Sequence, residues 1–253
     1  MMILPRPFAL WMCVLAFSIG LPQASHSEPA TTDESANAET LARILEGARK
    51  FERSYIGSFS RREIITRSLA GGNGELRRTR KAVVDVWDYH GEHPTNQVLE
   101  CTLDGKPVDL EKCVDPQRIE PAYRLFAKDA DLHYRFRYQA LDSWRGTASH
   151  KIRIVPLQKT SRHLEGDIFF RVDTLQILGM RITLADYPFG LKDLSIELTF
   201  EDHDGRAVIA SGESSATLYV PLLINERAHT VFTASQQRLL TEDVSLAASA
   251  TGG

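Results

Sequence analysis

From Gly57 to near Leu240 the apolar residues of this chain recur mostly at every second position, and that period restricts the fold more than any other feature. Leu132, Tyr134, Phe136, Tyr138 and Ala140 alternate with His133, Arg135, Arg137 and Gln139. Leu194, Ile196, Leu198 and Phe200 alternate with Ser195, Glu197, Thr199 and Glu201. Ile152 and Ile154, then Met180, Ile182 and Leu184, repeat the pattern. Successive side chains on a strand point to opposite faces, so these segments predict antiparallel strands with one buried and one wet face.

Turn residues separate the runs. Gly71-Gly72-Asn73-Gly74 divides a strand near Arg61–Leu69 from a long one near Glu75–Tyr89. Asp104-Gly105 and Asp204-Gly205 are hairpin signals, and His90-Gly91, Glu165-Gly166 and Gly212 mark further expected reversals. The count is about nine to eleven strands, in a sandwich or a barrel-like sheet.

Ahead of the strands, Leu41, Ile44, Leu45, Ala48, Phe51 and Tyr55 recur at helical spacing among charged residues. They predict one amphipathic helix over Glu39–Ile56, ended by Gly57, whose apolar stripe packs on the sheet. Residues 1–27 have the build of a cleavable secretory leader: Arg6, an apolar run from Phe8 to Leu21, then small residues at Ser25 and Ser27. Residues 28–38 are small and polar and read as a flexible tether. Asp115-Pro116 and Glu120-Pro121 open a short helical insertion running to Lys128, with Tyr123 and Phe126 on one side. Residues 241–253 read as a disordered tail, which leaves a single β-rich domain over 39–240.

An exported chain lies in an oxidising compartment. Beyond Cys13 of the leader it keeps an even pair, Cys101 and Cys113, which reads as a disulfide. Closing so short a loop stabilises by about 3 kcal/mol in the chain-entropy model. The net charge of −3 carries no basic excess, which argues against a nucleic-acid partner. No later segment is long and apolar enough to span a membrane.

No motif fixes a reaction. There is no G-x-S-x-G nucleophile turn, and the glycine run lacks the Gly-Lys-Ser/Thr ending of a phosphate loop. His90, Glu92 and His93 flank a turn without a fixed third ligand, and Asp202-His203-Asp204-Gly205 is explained as a hairpin. No metal or cofactor is expected. Asp85 with Asp88, and Glu197 with Glu201, are the carboxylates a hydrolase could gather from separate strands. Solvated strand faces explain them more simply.

The aromatic residues are more suggestive. Trp87, Tyr134, Phe136, Tyr138, Phe170, Phe200 and Phe232 fall on predicted strands, where the simplest role is a packed core. A sheet that curls without closing would turn the same residues into the lining of an apolar pocket under the helix.

Several segments resemble the LolA-like half-barrels, the lipoprotein-sorting carriers of Gram-negative bacteria. Gly166-Asp167-Ile168-Phe169-Phe170-Arg171-Val172-Asp173-Thr174-Leu175 resembles the family's apolar strand with its acidic turn residue, and Met180–Ala185 fits the returning strand. Glu63–Arg67, the glycine-rich turn, Arg77–Trp87 and Leu103-Asp104-Gly105-Lys106-Pro107 resemble the opening strands of exported relatives. The resemblance implies an α+β fold, mainly antiparallel β: an incomplete barrel with the helix and insertion over its concave face. It implies a non-enzymatic periplasmic protein that holds a hydrophobic ligand, a lipid or the acyl chains of a lipoprotein. The alternative is an envelope module that docks another protein and holds no lipid, with the hydrolase ranked last.

Overall fold

Period-two patterning becomes one sheet. The computed structural model describes residues 32–54, 58–88, 95–113, 125–127, 129–203, 206–221 and 224–240. Helix α1 covers Thr32–Ser54. The strands are β1 Ser58–Gly71, β2 Leu76–Asp88, β3 Thr95–Leu103, β4 Lys106–Pro107, β5 Tyr134–Trp144, β6 Thr147–Pro156, β7 Leu164–Arg171, β8 Ile177–Leu184, β9 Leu191–His203, β10 Arg206–Val220 and β11 Ile224–Leu240. All pair antiparallel, in the order β4-β3-β2-β1-β11-β10-β9-β8-β7-β6-β5. The sheet is open, with edges at β4/β3 and β5. The chain builds it as two meanders joined where β11 returns to β1, and the segment between Pro107 and Tyr134 carries it from one edge to the other.

The leader and the tail lie outside the described residues, as do Asp204-Gly205, His90-Gly91 and most of the 115–128 insertion. The helix starts earlier than expected, and Thr32–Asn37 of the expected tether form its first turns. Propensity alone extends the helix past its apolar stripe, and residues 35–39 are exposed.

Three other expectations change. Gly166 and Gly212 lie inside β7 and β10 rather than at reversals. A Cβ on Gly212 would stand 2.2 Å from the Phe232 ring, so this glycine makes room for an aromatic neighbour. Leu132 leaves the apolar row: it ends a 3₁₀ turn, Ala130–Leu132, closed by the His133 amide donating to the Ala130 carbonyl, and it is 74% exposed. Asp104-Gly105 turns as expected, both residues having positive φ (51° and 78°), the primed geometry that suits strand twist.

One face is apolar and the other charged. The largest core packs Ile152, Ile154, Ile168, Phe170, Met180 and Ile182 of β6–β8 beneath Ile44 and Ala48 of α1 and Leu125 and Phe126 of the insertion. Each such side chain contributes about 1.5–3 kcal/mol. The Phe126 ring lies 6.2 Å from Phe136 and 5.9 Å from Phe170. A second core holds Ala82, Val84, Val86, Cys101 and Cys113, and the disulfide Cys101–Cys113 pins a 3₁₀ turn, Leu110–Cys113, onto β3. The opposite face carries cross-strand ion pairs: Arg153 with Asp167, Arg181 and Arg145 with Glu197, and Arg62 with Asp85. Its apolar cluster, Trp144, Phe169 and Leu178, sits under the Arg181 and Arg145 guanidinium groups.

Candidate functional site

Strand register aligns the covered face. One row of mutual partners crosses ten strands: Tyr138, Ile152, Ile168, Met180, Leu198, Gly212, Phe232, Ile65, Ala82 and Cys101. No member of that row is charged. At one end Ile152, Ile168 and Met180 are fully buried, and at the other Ala82 and Cys101 are buried. Between them Leu198, Phe232 and Ile65 stay half-buried. This strip over β9, β10, β11 and β1 is the candidate site, lying between the core under α1 and the core under the disulfide turn.

One border is polar, while the other is polar only at β1, since Phe200 and Ala234 continue the apolar face over β9 and β11. The next row toward the β1–β2 turn reads Ile196, Ser214, Thr230, Arg67 and Arg80, so apolar character gives out past β9. On the other side Arg61 and Glu63 share the concave face of β1. Arg61 donates from Nε to Glu63 Oε1 at 2.8 Å, and the two side chains are only 12% and 10% exposed. Glu63 is the single buried charged residue among the described residues. A buried pair of this kind loses much of its attraction to desolvation, and breaking it exposes that penalty.

Six of the seven aromatic candidates come together. Tyr134, Phe136, Tyr138, Phe170 and Phe200 belong to the core under α1. Phe232 closes over Gly212 beside Leu198. Trp87 does not join them: it follows buried Val86 on β2 and pairs with Ser60 and Thr95, which turns it to the opposite face. Sequence reasoning missed Ile65 and Leu198 as lining, and missed the Arg61–Glu63 pair. The i, i+2 spacing of opposite charges beside Ile65 was the available signal.

His150 lies at the β5 end of the same face. The Tyr138 hydroxyl and His150 Nδ1 are 3.1 Å apart. Burial lowers the His150 pKa, assisted by the charge of Arg43 on α1, and burial pushes the Tyr138 hydroxyl up.

Two of the four carboxylates considered for hydrolysis, Asp85 and Glu197, are engaged on the other face. Arg62 donates to Asp85 through Nε at 2.7 Å and Nη2 at 2.9 Å, and that bond holds the carboxyl below its ordinary range. Burial pushes Glu197 up, but hydrogen bonds from Arg181 and Arg145 outweigh it and keep the carboxyl low. Among the described residues no group of three or more His, Cys, Asp or Glu gathers as a metal site, and no helix is long and apolar enough to cross a membrane.

No protein-family model matches the sequence, and no curated protein matches it. Solved structures do. A LolA superfamily protein from Nitrosomonas europaea is 10% identical, with a TM-score of 0.43 over 80% of this chain and 96% of its own. An outer membrane lipoprotein-sorting protein domain from Vibrio parahaemolyticus is 14% identical, with a TM-score of 0.46 over 82% and 96%. The Pseudomonas aeruginosa MucA/MucB complex matches at 11% identity and a TM-score of 0.26, over 81% and 99%. These TM-scores are below 0.5, so the architecture stands on the chain's own strand order and no activity passes to it from these proteins.

Two measurements check this geometry. Glu63→Ala is expected to destabilise the fold by about 3–5 kcal/mol in denaturant unfolding, whereas Arg61→Leu combined with Glu63→Leu stays near wild type. Equal losses in both would show that the pair is not the source. For His150 the folded pKa is depressed, so the unfolded chain, titrating near pH 6.5, binds the extra proton. Stability is fully present above about pH 6.5 and falls as pH drops through the lowered folded value. His150→Gln should run parallel to wild type above that pH and lose less below it.

Proposed function

We propose that this is an exported, non-enzymatic binding protein that holds an apolar-chain ligand, a lipid or the acyl chain of a lipoprotein, over the strip formed by Leu198, Phe232 and Ile65. The observation that carries the reading is the break in burial along one apolar register row. Ile152, Ile168 and Met180 on one side and Ala82 and Cys101 on the other are buried. Leu198, Phe232 and Ile65 between them stay half-buried, Leu198 and Ile65 at the margins of the two cores. An extended hydrocarbon chain fits such a strip, because it needs apolar contact and no hydrogen-bond partners. The polar row Ser214–Thr230–Arg67 limits it on one side, and Arg61–Glu63 limits it at β1 on the other. Export rests on the leader-like residues 1–27, and a periplasmic address with a single domain over 39–240 follows from the same reading.

The test is titration with a fluorescent polyunsaturated fatty acid. Wild-type protein is expected to take up the probe saturably, and Phe232→Ala to bind about tenfold more weakly, the effect of removing part of one aromatic contact. Thermal unfolding of both proteins separates lost binding from lost folding. No uptake by folded wild-type protein, or equal uptake by a folded Phe232→Ala, overturns the reading. A stoichiometric protein partner captured without lipid would favour the docking module instead.

A further inference from the structure

The hairpin ends at one rim of the sheet carry large apolar side chains that nothing in the fold requires to be exposed. This rim holds the start of β5, the β6–β7 turn, the β8–β9 turn and the β10–β11 turn. Phe189 is 90% exposed, Leu132 74%, Leu157 46%, Tyr219 46%, Ile224 42% and Tyr187 39%. Toward the opposite rim the large exposed apolar residues are Val172, at 40%, and Leu141 near the end of β5, at 65%.

The exposed residues project from a fixed frame. Backbone hydrogen bonds link the neighbouring segments one after another: the Leu157 amide donates to the His133 carbonyl at 2.7 Å, Ala185 to His163 at 2.8 Å, and Tyr219 to Gly190 at 2.8 Å. Within the β8–β9 turn the Leu191 amide donates to the Pro188 carbonyl at 3.0 Å, and the Tyr187 and Thr183 hydroxyls lie 2.8 Å apart. Phe189 is therefore held outward by a braced turn.

We infer that this rim seats the protein on the surface of a lipid bilayer, with Phe189 and its neighbours inserted among the headgroups. Three observations select that occupant. The apolar residues stand on separate turn tips with polar residues between them, a spacing that a fluid interface accepts and that offers a rigid protein partner no continuous surface. Tyr187 and Tyr219 pair an apolar ring with a hydroxyl, the chemistry that favours a membrane–water boundary. Charge along the rim is not basic, Lys159, Arg162 and Lys192 standing against Asp129, Asp131, Glu165, Asp186 and Asp193, so attachment draws on apolar insertion rather than on attraction to an anionic surface. The inference goes beyond ligand binding, since the strip over Leu198, Phe232 and Ile65 plays no part in it.

Flotation of the purified protein with vesicles of zwitterionic phosphatidylcholine tests it. Wild type should float with the vesicles, and raising the salt concentration should leave the bound fraction unchanged. Phe189→Ser with Leu157→Ser should lower the partition coefficient by about tenfold or more. Val172→Ser on the opposite rim should float as wild type. Both positions are solvent-exposed, so the variants are expected to fold, and circular dichroism with fatty-acid titration verifies that they do. A folded rim variant that floats like wild type overturns the inference, as does wild type that stays unbound at every lipid concentration. Either result leaves the ligand reading standing if fatty acid is still taken up. Loss of uptake with intact flotation overturns only the ligand reading.

Discussion

The structure depends on cross-strand registration of apolar side chains on one face of a single open sheet. Tyr138 through Cys101 face one another strand by strand, and a one-residue slip in any pairing would turn that strand's apolar set to solvent. Registration needs a cover to be stabilising, since a sheet with one bare apolar face gains little from its own alternation. Ile44 and Ala48 of α1, with Leu125 and Phe126, provide it over β5–β9 and the start of β10. The disulfide turn provides it over β2–β3. Neither closes the sheet, and the uneven cover between them creates the half-buried strip.

The two faces divide the work by chemistry. Wet-face charges pair across strands, Glu197 between Arg145 and Arg181 and Asp85 with Arg62, and this keeps the carboxylates ionised and engaged. Covered-face polarity is confined to the margins, at Arg61–Glu63 and at His150 with Tyr138. Such groups cost more to bury than aliphatic ones of the same size, so their placement beside the strip sets limits on what the strip accepts.

Strand content and burial side were legible where apolar and polar residues alternate, over Tyr134–Tyr138, Ile152–Ile154 and Leu194–Phe200, and less so in β7 and β8, where Phe169 and Leu178 are buried on the opposite face. The face of β2 was not legible, because Val83-Val84-Asp85-Val86-Trp87 puts apolar residues on both parities, and only packing against Cys101 and Cys113 decides that the small set is buried and Trp87 is not. Glycines misled for a related reason. Gly166 and Gly212 look like turn residues in the sequence, yet they answer to a backbone neighbour and a ring supplied by the adjacent strand. The strip itself was partly legible: Phe232 was among the candidates, while Ile65 and Leu198 became lining only through pairings of β1 with β11 and of β9 with β10.

The ligand reading returns to one place on the sheet, the half-buried strip over β9–β11 and β1. A crystal structure of the protein grown with a long-chain fatty acid examines it directly. The account predicts acyl-chain density lying along Leu198, Phe232 and Ile65 on the helix side of the sheet. Density on the charged face, or a fully packed strip with no chain bound at saturating ligand, would contradict it.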